Sequence, residues 1–191
     1  YSEAFESVLK LAAKLPRPWV GIAQSTGCAV IMDSLLHRKL DERFTLAHYV
    51  LLCPLLYPVG WSLSRYVFYL TRSFLPGIRR SFARNSHDDS FLRFLREHDG
   101  RQARTLPTAW VAAMADYQQR FAGAAQSGVP VQIIQGTDDG TVDWRKNLPL
   151  ISEKFPAGKA YLLDDARHHL VNESAVFRER LFARLARIIG T

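Results

Sequence analysis

The feature that most constrains this chain is an alternation of short, almost wholly apolar runs with stretches of helical spacing. Trp19 to Ala23, Leu46 to Cys53, Val131 to Gly136 and Ala160 to Leu163 are such runs, and each is bounded by turn-forming residues. A strand with one wet face alternates apolar and polar residues, whereas a strand that is apolar on both sides needs helices over both faces of its sheet. Helical patterns follow the runs, from Thr26 to about Arg38, from Trp144 to Lys154 and from Ala175 to Ile189, the last with Phe177, Leu181, Leu185 and Ile188 on one stripe. The expectation is an α/β chain with a mostly parallel sheet covered on both faces, and 191 residues suit one such domain.

The flanking segments exclude other classes. Tyr1 to Leu15 places Phe5, Val8, Leu9 and Ala12 on one stripe, which predicts an amphipathic helix and neither a signal nor a transit peptide. The uncharged stretch from Thr45 to Ser64 approaches the ~20 residues of a membrane span, but His48, Pro54, Pro58 and Gly60 interrupt it. Two cysteines, Cys28 and Cys53, cannot build a disulfide framework or a four-ligand zinc cage; each reads as a buried small hydrophobe in a reducing, cytoplasmic setting. His168-His169 lacks the further ligands that a metal pair needs, so no metal is expected. Asp33 and His37 read as a solvated helix pair, and Asp138 and Asp143 as turn and N-cap residues.

The net charge of +7 is concentrated in one segment. Between Trp61 and Phe121 stand ten arginines and five acids, a net +5. The segment from Tyr57 to Gln126 also holds 12 of the 22 aromatics, in helical patches with no strand signal. Arginines interleaved with aromatics read as solvated heads on amphipathic helices, and no nucleic-acid recognition motif accompanies them.

The chemistry centres on Ser25. It follows the first apolar run at a turn into a helix, with Ala23 two residues before and Gly27 two after. A serine at so sharp a turn occupies strained backbone, and only small residues at those two positions let strand and helix approach. The same turn puts the Thr26 N–H at a helix N-terminus, facing a developing oxyanion. Taken alone the pattern also fits an ordinary serine N-cap. A serine nucleophile needs a base oriented by an acid, and suitable loops follow. Asp139 lies three residues after Gly136, beyond a strand end, and His168 lies in the loop Asp164 to His169 after the last apolar run. The order Ser, Asp, His, each after a separate strand, is that of an α/β-hydrolase.

Three segments carry the family resemblance. Gln24-Ser25-Thr26-Gly27, Gly136-Thr137-Asp138-Asp139-Gly140-Thr141-Val142 and His168-His169-Leu170-Val171-Asn172-Glu173 resemble the nucleophile, acid and histidine motifs of the monoacylglycerol lipase and lysophospholipase-like α/β-hydrolases. The resemblance selects Asp139 over Asp138 and Asp143, and His168 over His169. It implies an α/β-hydrolase fold with core segments 1–55 and 127–191 and a helical cap insertion at 56–126. It further implies a serine hydrolase, without cofactor, that cleaves carboxylic esters of hydrophobic or lipid-like substrates through an acyl-enzyme. The roles implied are Ser25 as nucleophile, His168 as base and then acid, Asp139 as its orienting acid and Thr26 as oxyanion donor.

An aromatic cap suits an acyl chain, with Trp61 and Trp110 as candidate substrate contacts, and its arginines suit an anionic head group or peripheral contact with a membrane. Such hydrolases carry further strands and an oxyanion loop before the serine turn, where this chain has one helix. The expectation is that these N-terminal strands are missing from the 191 residues and come from the same longer protein or another chain. Gln24 stands where such enzymes often have His, which touches no triad role. The rival reading is a non-catalytic binding protein on the same scaffold.

Overall fold

The computed structural model describes residues 1–71, 77–79, 84–100 and 103–190. Arg72, Phe74, Arg80, Phe82 and Arg101, counted above in the arginine and aromatic segment, lie outside the described residues.

Four strands, β1 (Val20–Gln24), β2 (His48–Leu52), β5 (Val131–Gly136) and β6 (Lys159–Leu163), form a parallel sheet in the order β1-β2-β5-β6. Their registers pair Ile22 with Val50, Leu51 with Ile133 and Ile134 with Tyr161. β2 is central, and its side chains divide between two cores. Tyr49 and Leu51 pack with Ile133 against α2 (Thr26–His37) and α7 (Trp144–Lys154), through Cys28, Met32 and Ile151. Val50, Leu52 and Ile134 pack on the other face against Leu181, Leu185 and Ile188 of α8 (Ala175–Ile189). Burying a side chain such as Leu181 contributes about 1.5–3 kcal/mol, and helices on both faces are what the apolar runs require.

The remaining elements adjust the expectations. α1 (Ser2–Ala12) lays Phe5 and Leu9 on the core, but Val8 is exposed. Glu6 is the buried polar residue of that helix, paired with Arg38 and with Arg43 at 2.8 Å. Asp33 is likewise no solvated residue: its carboxylate accepts from Ser2 Oγ at 3.0 Å and Arg120 Nη2 at 3.1 Å, joining α1, α2 and α6 (Thr108–Gly123). A short helix, α3 (Leu40–Arg43), follows α2.

Between β2 and β5 lie α4 (Trp61–Thr71), α5 (Asp89–Glu97) and α6, as the helical patches predict. They are joined by two strands that the sequence did not reveal, β3 (Gly77–Arg79) and β4 (Thr105–Pro107), which pair antiparallel. Three residues are too few to display a period of two. α6 inserts Val111, Met114, Tyr117 and Phe121 into the main core. Trp61 of α4 is buried there too.

β1 forms one edge of the sheet. Expected to be buried on both sides, it pairs only with β2 among the described residues, and Ile22 is 46% exposed. An apolar groove of about 520 Å³ runs beside it, lined by Phe5, Leu9, Ile22, Val30 and Leu46. No helix among the described residues is long and apolar enough to cross a membrane.

Candidate active site

The site lies at the C-terminal ends of the parallel strands, where loops leave the sheet and ligands bind in α/β folds. Ser25 follows β1 directly and α2 begins at the next residue. Its backbone adopts φ 54° and ψ −114°, strain of about 1–3 kcal/mol that the surroundings must hold. They do so through four bonds: Ser25 N–H donates to Leu52 O at 2.9 Å, and Ser25 O accepts from Cys28 N at 3.0 Å, Leu55 N at 3.3 Å and Ala29 N at 3.4 Å. The small flanking residues have the expected physical cause, since a Cβ on Gly27 would lie 3.3 Å from the Cβ of Ala23. Thr26 opens α2, so its N–H belongs to the first turn, where donors lack a helical partner.

Asp139 and His168 sit on the loops after β5 and β6. His168 Nδ1 is 2.8 Å from Asp139 Oδ2, and the side chains are 3% and 0% exposed. Asp139 Oδ2 also accepts from Gln135 Nε2 at 3.0 Å, while Oδ1 accepts from Thr141 N at 2.8 Å and Val142 N at 3.1 Å. Burial pushes the Asp139 pKa up, but His168 and the two backbone donors outweigh it and hold the group below the ordinary carboxylate range. An ionised carboxylate only accepts, so the shared proton belongs on His168 Nδ1, the tautomer in which a neutral imidazole has Nε2 as its acceptor. Ser25 Oγ makes no hydrogen bond among the described residues.

The acid and histidine loops meet through Gly136, where a Cβ would lie 2.3 Å from Ala166 O and 2.7 Å from Arg167 O. Asp138, beside the acid, is held by Arg167 Nε at 2.9 Å, and Asp143 caps α7 by accepting from Lys146 N. The histidine loop also reaches the serine turn. Gln24 Nε2 lies 3.4 Å from His168 O and 3.1 Å from His169 Nδ1. Gln24 therefore links the serine and histidine loops, a role that its place outside the triad did not reveal in the sequence. The signal was available: Gln24 is the polar last residue of β1, and Gln135 is the polar residue before the last of β5. Glu173, fully buried and tied to His87 at 3.1 Å, is another residue whose role only the structure reveals.

Cys53 Sγ, an Asp139 oxygen and a His168 nitrogen lie within 4.8 Å of one another. Burial, reinforced by the Asp139 charge, holds the thiol pKa well above its ordinary range. A cation would have to displace the thiol proton and part the bond between His168 and Asp139, so the donor set fits a thiol packed beside the dyad better than a metal cage.

Next to Thr26 opens a cleft of about 160 Å³ lined by Ala29, Val30, Trp110, Met114 and Tyr117, with Asp33 and Arg120 also on its wall. Trp110 thus lies on the same cleft as Thr26. Trp61 belongs to the core and does not line it.

No protein-family model matches the sequence, and no curated protein does. Solved structures do. The chain is 15% identical to a monoacylglycerol lipase from Paleococcus ferrophilus, with a TM-score of 0.77 over 99% of this chain and 74% of that one. It is 15% identical to a soluble variant of monoglyceride lipase from Saccharomyces cerevisiae, solved with a substrate analogue, with a TM-score of 0.79 over 97% of this chain and 66% of that one. A third, described as a putative hydrolase from Agrobacterium vitis, is 18% identical, with a TM-score of 0.65 over 96% of this chain and 66% of that one. The chain has the α/β-hydrolase fold and spans about two thirds to three quarters of the length of these proteins.

Proposed function

We propose that this α/β-hydrolase fold serves a serine hydrolase that cleaves carboxylic esters of hydrophobic or lipid-like substrates, of the esterase, lysophospholipase or monoacylglycerol lipase type. The observation that carries the reading is the buried bond between His168 Nδ1 and Asp139 Oδ2 at 2.8 Å, on the same sheet end as the strained Ser25 turn. In this reading His168 Nε2 takes the Ser25 proton as Oγ attacks the ester carbonyl, and the Thr26 N–H binds the oxygen that becomes negative. The imidazolium, stabilised by Asp139, returns the proton to the departing alcohol. Water then attacks the acyl-enzyme with His168 again as base, releasing the acid and restoring the serine. That Ser25 Oγ makes no hydrogen bond among the described residues is compatible with this, because catalytic hydrogen bonds often close only around substrate.

Similarity to lipases supports the substrate class, and the apolar cleft beside Thr26 supports an acyl subsite walled by Trp110. At about 160 Å³ it matches the ~150 Å³ that holds a benzene ring, so it suits a short acyl chain or the first part of a longer one. Residues 56–126 would be the cap, and its arginines would meet an anionic head group or a membrane surface. Free, buried Cys28 and Cys53 suit a reducing, cytoplasmic setting. The open edge of β1 and its apolar groove would be completed by a strand outside these 191 residues, from the same longer protein or another chain, which would also bring the second oxyanion donor.

The decisive experiment is labelling of the full-length protein by a fluorophosphonate. Ser25→Ala should abolish labelling and lower turnover of p-nitrophenyl esters by several orders of magnitude while leaving the melting curve intact. Turnover unchanged in Ser25→Ala moves the assignment to a non-catalytic binding protein.

A further inference from the structure

We infer that Glu173 is a positioning residue for His168, and that it ties the proposed cap segment to the catalytic loop through His87. The inference rests on the hydrolase reading above and adds to it the device that holds the base in place.

Glu173 is the most constrained acid outside the dyad. Its carboxylate is fully buried and accepts four bonds. Oε1 takes Arg167 N–H at 2.7 Å and lies 3.1 Å from His87 Nδ1; Oε2 takes His87 N–H at 2.7 Å and Ser174 N–H at 3.0 Å. Burial raises its pKa, but the His87 and Arg167 backbone donors, the His87 ring and Ser174 N–H outweigh that and keep it ionised.

Two of these bonds hold Arg167 and Ser174, on either side of the histidine segment, and two hold His87, 86 positions earlier in the chain. Arg167 immediately precedes His168, so its N–H bond to Glu173 sets the backbone from which the imidazole projects. The Arg167 side chain then divides between two neighbours: Nε donates to Asp138 at 2.9 Å, beside Asp139, and Nη1 donates to Ser86 O at 3.1 Å. The residues flanking both members of the dyad are thereby joined to one strap, Asn85 to Asp88.

The strap is sewn down along its length. His169 N–H donates to Asn85 O at 2.9 Å and Ser86 Oγ to Asn172 O at 2.7 Å; Asp88 faces Arg178 at 3.6 Å. The His87 ring stacks on Phe177 of α8 with centroids 5.1 Å apart. Asp88 then caps α5 by accepting from Ser90 and Phe91, so the strap leads directly into a helix of the proposed cap segment. A shift of the strap therefore reaches His168 through Glu173, with no contact to substrate.

The donors around Glu173 define the test. Both carboxylate oxygens accept from backbone N–H groups, so in Glu173→Gln the amide –NH₂ must face one of them in either orientation. His87→Ala removes only the ring bond and the stack. A displacement of the base by about 1 Å costs up to about 100-fold in rate. In the full-length protein, Glu173→Gln is expected to lower kcat for a p-nitrophenyl ester tenfold or more with KM within about twofold, and His87→Ala to lower it less. Both should weaken or broaden the downfield proton resonance of the His168 Nδ1–H bond. If folded Glu173→Gln keeps wild-type kcat and an unchanged resonance, the inference is overturned. If Glu173→Gln does not fold, His87→Ala carries the same two criteria. The resonance exists whether or not the protein hydrolyses esters. A wild-type chain inert to fluorophosphonate thus sinks the hydrolase reading, while an unaltered resonance in a folded variant sinks the positioning role.

Discussion

Gly136 and Ala166 approach so closely that a Cβ on the glycine would lie 2.3 Å from the alanine carbonyl oxygen. The loops that carry Asp139 and His168 meet at this point, and Thr137 and Asp138 each donate a backbone bond across it, to Leu163 O at 3.1 Å and Ala166 O at 3.0 Å. Gly136→Ala must push the two loops apart, because both atoms of the clash are backbone-bound. The expected cost is about 1–3 kcal/mol of overpacking, read as a lower denaturation midpoint, together with a fall in kcat larger than any change in KM. A variant with wild-type stability and turnover would show that the loops tolerate separation.

Asp139→Asn tests the acid directly. An amide can present its –NH₂ to His168 and so favour the tautomer with the proton on Nε2, where the base is needed. Turnover should fall by about 10⁴-fold with the fold retained. Asp138→Asn, which touches Arg167 and not His168, should fall far less; steady-state kinetics on both variants separates the two acids.

The cluster at Glu6 makes a prediction for stability against pH. Hydrogen bonds from Arg38 and Arg43, with their charges, draw the Glu6 pKa down from 4.5 to about 2 against the effect of burial. A folded pKa below the unfolded value means that the unfolded chain binds the proton more readily, so stability rises with pH across that window. The contribution is fully present above about pH 4.5 and disappears as pH falls toward 2. Urea midpoints should therefore show wild type more stable than Glu6→Gln at pH 6, with the gap shrinking by pH 3. A gap that is constant over this range would remove the ionised Glu6 from the account.

Trp110 tests the cleft. If it walls the acyl subsite, each methylene of the acyl chain should add at most ~0.8 kcal/mol, about fourfold in kcat/KM per carbon, until the cleft is full. Trp110→Ala should move that plateau to a different chain length. Trp61→Ala, which opens the core instead, should lower thermal stability and leave chain-length preference in place.

The role of the arginines is separable by salt. If those of the segment from Trp61 to Phe121 contact anionic lipid, hydrolysis on anionic vesicles should decline as ionic strength rises through 0.1 M and above, where screening shortens to about 10 Å, while a soluble neutral ester is unaffected. Equal salt responses on the two substrates would leave the membrane out of the function.

The sequence by itself determined the elements whose cause is local. Val131–Gly136, Trp144–Lys154 and Ala175–Ile189 coincide with their apolar runs and stripes, because periodicity and capping act over a few residues. The turn at Ser25 was legible for the same reason, since small neighbours, a strand before and a helix after are all within five positions. Only the tertiary structure decided what depends on distant partners. Val8 lies outside the core, and Glu6 inside it, because Arg38 and Arg43 arrive from beyond α2. Asp33 is bonded by Ser2, 31 positions before it, and by Arg120, 87 positions after it. β3 and β4 exist through each other, each too short to register alone. Glu173 reads locally as the end of a motif, and it becomes the anchor of the histidine loop only when folding brings His87 across 86 positions to its carboxylate. Local pattern can choose a helix or a strand, but a buried charge is stable only where its donors converge, and that convergence is a property of the whole fold.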